Sequence, residues 1–401
     1  MKIVYVTAQA PWGKGEAFVQ EEVLELQNSG VDLLIIPRNP RKSLFHKEAQ
    51  QLLANAIWLP LINFRMIGGL LKALFMRASL WKVLIHIIRH SRTSWILIKN
   101  LAILPKGVFI ANMLQDEHIY HIHAHWGSTT STMAYVISQL TGIPWSFTLH
   151  RWDIRENNIL KEKGRSAKFI RCISMHGKGE LIDIIGKIFE SNIHVIHMGV
   201  RVPEKIKEPK TSSGLFTIAV PANLLEVKGH EYLVEASSIL LKKGIRNFRC
   251  IFYGEGPLRT RLENLTKKRG VASYIEMPGA IAHEELIEMY KGGMVDLAVL
   301  PSIITHKGAH EGIPVALMEA MAFGIPVIST NTGGIPELFS AGAGTIVAEK
   351  NPEQLAKAIS GLLADAELRR KVGFEGYQRV KEEFNASVSV ASLAEVIKDG
   401  N

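Results

Sequence analysis

The chain has 401 residues, 47% hydrophobic and 21% charged, with 33 Gly and 16 Pro. At roughly 150 residues per domain this predicts two or three folded domains, and the composition excludes a disordered, collagenous or coiled-coil chain. The net charge of +9 raises nucleic acid or a membrane surface as partners, yet residues 1–200 hold 23 Lys and Arg against 14 Asp and Glu while residues 201–401 hold 24 of each.

Residues 3–7 read as a buried strand, followed by a loop with Gly13 and Gly15, a helix over 17–29 closed by Gly30, and a strand over 32–36. Strand, loop, helix, strand is the βαβ signature of a parallel sheet. The first apolar run is too brief for a signal-peptide core. Cys172 and Cys250 lie far apart without metal-ligand spacing, so a reducing cytoplasm is the expected compartment.

Residues 49–115 carry no acidic residue but include Arg65, Lys72, Arg77, Lys82, Arg89, Arg92, Lys99 and Lys106, interleaved with Trp58, Phe64, Phe75, Trp81, Trp95 and Phe109. Leu70, Leu71, Leu74, Phe75 and Ala78, then Trp81, Leu84, Ile85 and Ile88, recur at helical spacing. Amphipathic helices with basic flanks and aromatic anchors suit an anionic membrane surface; the alternative is a set of core helices whose solvated faces are basic. The longest uncharged stretch in this basic region, 49–64, is shorter than the roughly 18 apolar residues of a spanning helix, so no segment is expected to cross a bilayer. Nucleic-acid binding is not expected, since no recognition motif accompanies the charge.

Strands at 118–123, 145–149 and 169–173 complete a first α/β domain over 1–195. On a strand His121, His123 and His125 share one face, an arrangement that can bind metal; sheet packing of His121 and His123 is the preferred reading, with His125 at the carboxyl end facing a cleft. A polar linker over 196–213 leads to strands at 216–220, 248–253, 274–277, 297–300 and 326–329, a second domain over 214–380. A helix over 381–401 is expected to return to the first domain. Two doubly wound domains in tandem predict a central cleft, with ligands at the carboxyl ends of strands.

The most informative stretch is 301–338. Pro314 suits the first turn of a helix, placing Glu311 in the preceding loop and Glu319 within the helix. Eight residues of helical rise separate the two carboxylates by roughly 12 Å. Between them the backbone N–H groups of Ile313, Val315 and Ala316 make an anion site at the helix start. A carboxylate for sugar hydroxyls, amides for phosphates and a carboxylate for ribose fit a nucleotide sugar. The alternative is a loop acid and a helix-surface acid, but Glu319 is flanked by Leu317, Met318, Ala320, Met321 and Ala322, where a solvated acid is out of place.

This stretch resembles the retaining glycosyltransferases of family 4, whose E-x7-E motif matches Glu311 and Glu319. The resemblance extends to Lys228-Gly229-His230, Tyr253-Gly254-Glu255-Gly256-Pro257, Pro278-Gly279 and Gly333-Gly334-Ile335-Pro336-Glu337, covering essentially the second half. In the first half it rests on His123-Ala124-His125-Trp126-Gly127, on Thr148-Leu149-His150-Arg151-Trp152-Asp153, and on Ala17-Phe18-Val19-Gln20-Glu21-Glu22, the last similar to enzymes of exopolysaccharide and O-antigen synthesis.

The resemblance implies the GT-B architecture, two Rossmann-like domains facing a cleft. It implies that Glu311 contacts the donor sugar, Glu319 the ribose and Lys228 the diphosphate, with His150 on the opposite wall and Gly13 and Gly15 approaching the donor. Pro278 and Gly279 would hold the base, Gly312 would join Ile313 and Val315 in the donor site, and His125 and Asp153 would lie on the acceptor side. One departure stands out: the family's Arg five residues before the Lys is replaced by Asn223, which brings no charge. No D-x-D pair occurs, so neither a metal nor another cofactor is expected. The expected partners are a nucleotide-sugar donor, a glycan or lipid-linked acceptor and the cytoplasmic face of a membrane. A sugar-nucleotide epimerase, a phosphorylase on the same architecture, and a catalytically weak scaffold subunit of a polysaccharide assembly complex are the alternatives.

Overall fold

Apolar runs bounded by turns become buried parallel strands, as expected where helices cover both sheet faces. The computed structural model describes residues 1–13, 16–41, 47–206 and 214–399, and divides into Met1–His197 with Ser389–Asn401, and Met198–Val388. Gly15 and residues 207–213 of the expected linker lie outside the described residues.

The first unit contains β1 (Lys2–Thr7), α1 (Ala17–Asn28), β2 (Asp32–Pro37), α2 (Phe64–Met76), α3 (Ala78–His90), α4 (Ser94–Met113), β3 (His121–His125) and α5 (Thr129–Thr141). It continues with β4 (Trp145–Leu149), α6 (Arg151–Glu156), α7 (Leu160–Ser166), β5 (Phe169–Cys172), α8 (Met175–Ile185) and β6 (Ile193–Val195). The sheet order is β2-β1-β3-β4-β5-β6, every pair parallel. The chain reverses direction across the sheet between β1 and β3, and their carboxyl ends lie side by side.

The β3 strand begins three residues later than the sequence suggests. Glu117 N–H closes a turn onto the Leu114 carbonyl and Tyr120 N–H reaches Lys2, so pairing starts only as Ile3 meets His121. His121, His123 and His125 are consequently all buried.

Helices α2 and α3 each bury a narrow face. Met66, Ala73, Leu80, Val83 and Ile87 enter the core, whereas Phe64 (94% exposed), Phe75 (91%), Leu71, Trp81, Ile85 and Ile88 face outward. Asn63 and Thr93 cap α2 and α4 by accepting from Met66 N–H and Ile96 N–H. By length and composition α4 could span a membrane, but more than half of it is buried inside the protein. On it, Lys106 is fully buried and donates to the carbonyls of Pro37, Arg38 and Leu59, and burial pushes its pKa down to about 8.

The second unit runs β7 (Phe216–Val220), α9 (His230–Lys242), β8 (Phe248–Tyr253), α10 (Arg259–Arg269), β9 (Ile275–Gly279), α11 (His283–Gly292) and β10 (Leu297–Leu300). Then follow α12 (Val315–Ala322), β11 (Val327–Thr330), α13 (Ile335–Leu338), β12 (Thr345–Val347), α14 (Pro352–Ala364) and α15 (Ala366–Glu383). Its order, β12-β11-β10-β7-β8-β9, is that of the dinucleotide-binding fold, with the switch point between β7 and β10. The last helix, α16 (Ala386–Asp399), packs Val390, Leu393 and Ile397 into the first unit's core with Ile3, Tyr5, Val19 and Val23.

Candidate functional site

In the second unit the expected donor residues gather where β7 and β10 end. The loop after β7 lies backbone against backbone on the loop after β8: a Cβ on Gly254 would sit 2.1 Å from the Ala222 carbonyl oxygen, and one on Gly256 2.5 Å from that of Leu224. Asn223 is exposed on this loop. A short 3₁₀ turn, Glu226–Lys228, ends at Gly229, whose left-handed backbone packs where a Cβ would meet the Pro301 oxygen at 1.9 Å. Lys228 is thereby anchored at the end of β10, and its Nζ lies 2.9 Å from Glu311 Oε1. Beside them His230 is pushed down to about 3 by burial and by Lys228, so it is a neutral ring packed on Phe252.

Glu311 is held by the Gly333-Gly334 turn, because Gly333 adopts φ +54 with its missing Cβ 1.9 Å from the Glu311 oxygen. Pro314 does not enter the helix: it is the N-cap residue in an extended conformation. Helical rise therefore applies only from Val315 to Glu319, and the 12 Å estimate between the carboxylates does not carry over. Leu317 and Met318 donate to the Pro314 carbonyl, leaving the N–H groups of Val315 and Ala316 ahead of the intrahelical ladder.

Glu319 has a partner that sequence reasoning missed: His283 Nε2, at the start of α11, lies 2.8 Å from its Oε1. Pro278 is exposed at the end of β9, while Gly279 is buried at φ +103, with the Glu255 carboxylate 2.6 Å from where a Cβ would sit.

In the first unit a buried polar cluster occupies the carboxyl ends of β1, β3 and β4. His125 is the last residue of β3 and His150 follows β4; their Nε2 atoms are 2.9 Å apart. His125 is fully buried, with Tyr5, Glu22 and His150 at its two ring edges. His121 and His123 bond the hydroxyls of Ser146 and Thr148 on the neighbouring strand.

Asp153 is likewise buried, its Oδ2 accepting from His150 N–H. Burial pushes Asp153 up to about 7 and Lys163 down to about 7. Lys163 Nζ donates to the carbonyls of Gly127 and Ser128. Gly13 is buried and donates its N–H to Glu16 Oε2. Glu22, Tyr5 and Arg171 were not singled out from sequence for a role in this cluster. Glu22 shares the apolar spacing of Val19, Val23 and Leu26 on α1, and an acid on a buried stripe is the signal that marks it.

Residues 202–379 match the family described as Glycosyl transferases group 1. The putative colanic acid biosynthesis glycosyltransferase WcaL of Escherichia coli is 35% identical over 212 residues, 51% of either chain. The amylovoran biosynthesis glycosyltransferase AmsK of Erwinia amylovora is 30% identical over 262 residues, 62% of either chain. The chain thus spans about half the length of WcaL. Among solved structures, Anabaena HepE in complex with UDP-glucose has a TM-score of 0.72 at 15% identity over the full length of both chains. The glycosyltransferase of Rickettsia africae has 0.70 at 19%, covering 100% of this chain and 98% of that one. Residues 202–379 are thus similar to the group 1 glycosyltransferases, in a chain built of two Rossmann-like parallel-sheet units whose structural neighbours are GT-B glycosyltransferases.

Proposed function

We propose that this protein is a retaining glycosyltransferase of family 4 that moves a sugar from a nucleotide diphosphate to a glycan or lipid-linked acceptor in bacterial surface polysaccharide synthesis. The observation that carries this reading is the Lys228–Glu311 pair beside the free amides of α12. Lys228 and those amides would offset charge developing on the departing diphosphate, and Glu311 would orient the sugar. Glu319, with His283, would take the ribose, and Pro278 and Gly279 the base. In a front-face reaction the bond from sugar carbon to diphosphate oxygen breaks as the bond to the acceptor oxygen forms on the same face. The acceptor proton passes to a diphosphate oxygen. The names of WcaL and AmsK support the polysaccharide setting, and HepE, solved with UDP-glucose, supports a nucleotide-sugar donor.

The test is a thermal-shift screen of UDP-, GDP- and ADP-sugars, since a ligand that binds the folded state raises apparent stability, followed by transfer of the labelled donor with and without EDTA. One donor should stabilise the protein, and transfer should survive EDTA with the anomeric configuration retained. Failure of every donor to stabilise it would reject the reading. Abolition by EDTA with rescue by manganese would reject its metal-independent form. Exposed Asn223, where the family carries Arg, favours a second reading, a weakly catalytic scaffold; donor binding without transfer would select it.

The outward apolar face of α2 and α3, with Arg65, Lys72, Arg77 and Lys82 among its residues, supports docking on the anionic cytoplasmic leaflet. In liposome flotation, binding should rise with anionic lipid and fall with salt. Binding indifferent to both would remove this assignment.

A further inference from the structure

Glu22 lies on the buried face of α1, where a carboxylate needs hydrogen-bond partners. Arg171 Nη1 donates to its Oε2 at 2.5 Å and Tyr5 Oη to its Oε1 at 2.7 Å. Burial pushes the Glu22 carboxyl up, but Arg171 and His125 hold it well below the usual range, so it only accepts. Burial and the Glu22 charge push Tyr5 well above its usual range, so Tyr5 keeps its proton, and that proton is committed to Glu22.

The two groups facing His125 Nδ1 are the Tyr5 oxygen at 2.7 Å and Glu22 Oε1 at 3.2 Å. Both are acceptors, so Nδ1 carries a hydrogen. At the other edge, 2.9 Å between the Nε2 atoms of His125 and His150 calls for one hydrogen between two nitrogens. The His150 side chain accepts from the Asp153 N–H at the start of α6 and burial pushes its pKa well below the ordinary imidazole value, so its one hydrogen lies on Nε2 and the His125 Nε2 accepts it. The His150 ring is held from its sides by Trp126, at 4.3 Å between centroids, and Phe18, at 5.5 Å. Trp126 keeps this place at φ +89, a strained conformation for a bulky residue.

We propose that Glu22 and His125 are positioning residues that fix His150 as the neutral tautomer protonated on Nε2, its Nδ1 accepting from the Asp153 N–H at the start of α6, so that the ring has no proton to give the leaving group. The functional half of this rests on His150 belonging to the transferase site. Long-range 1H–15N spectra of the full chain labelled on histidine, with His150 identified by the signal lost in His150→Asn, test it directly. His150 should show a protonated Nε2 and an unprotonated Nδ1; a protonated Nδ1 overturns the proposal.

In Glu22→Gln, whose amide can donate to His125, the His150 tautomer should shift, and kcat should fall about tenfold with donor KM within about twofold. Unchanged tautomer and kcat in a folded Glu22→Gln would also overturn it. Should that variant not fold, Tyr5→Phe serves in its place: it retains the Glu22 acceptor and should keep the wild-type tautomer, and a tautomer lost there counts against Glu22. Full activity in His150→Ala would instead remove His150 from the site while leaving the wild-type spectrum as expected, so the two failures are distinguishable.

Discussion

Glu311→Ala should lower turnover by about a thousandfold while nucleoside diphosphate binding is retained, a magnitude at the upper end for losing one preorganised electrostatic contact. The asymmetry follows from the ion pair. Lys228 Nζ spends one of its hydrogen bonds on Glu311 Oε1 at 2.9 Å, and removing the carboxylate frees that charge for phosphate. Lys228→Ala should do the converse, weakening diphosphate binding and lowering turnover at least tenfold, because Asn223 brings no charge to share the load. Steady-state transfer and isothermal titration with the nucleoside diphosphate read both effects. An unchanged rate in Lys228→Ala would remove Lys228 from the leaving group.

The largest effect on stability is expected at Gly333→Ala. The residue sits at φ +54 with its absent Cβ 1.9 Å from the Glu311 oxygen. A left-handed conformation costs a residue other than glycine about 1–2 kcal/mol, and forcing atoms into filled space costs about 1–3 kcal/mol. A loss of roughly 2–5 kcal/mol in urea unfolding is therefore expected, together with lower turnover, because the displaced carbonyl belongs to Glu311. Gly361→Ala, in α14 with nothing within 4 Å of its Cβ, is the control and should gain about 0.5–1 kcal/mol. Equal responses at the two positions would refute the steric account.

Much of this architecture was legible because parallel strands buried on both faces must be apolar along their whole length. Residues 216–220 and 297–300 were assigned on that basis. The edge strands β6 and β12, three residues each, were not, since so short a run leaves no pattern. The face that α2 and α3 turn outward stayed open between two readings for a related reason: periodicity locates an apolar stripe but does not say whether the core or the surroundings receive it. At the site, Lys228 and Glu311 were legible through a local motif and through Pro314, even though Pro314 caps the helix rather than entering it. Glu22 with Arg171, 149 residues apart, and His283 with Glu319 were not, because pairings across elements leave no spacing to read.

The placement of α16 sets an order on synthesis. The second unit is continuous in sequence and can close its core as soon as residue 388 leaves the ribosome. The first cannot, although it is made earlier, because Val390, Leu393 and Ile397 complete the core around β1 and α1. Each such side chain contributes roughly 1.5–3 kcal/mol when fully buried. The early-made half therefore waits with that core face uncovered until the late-made half has emerged.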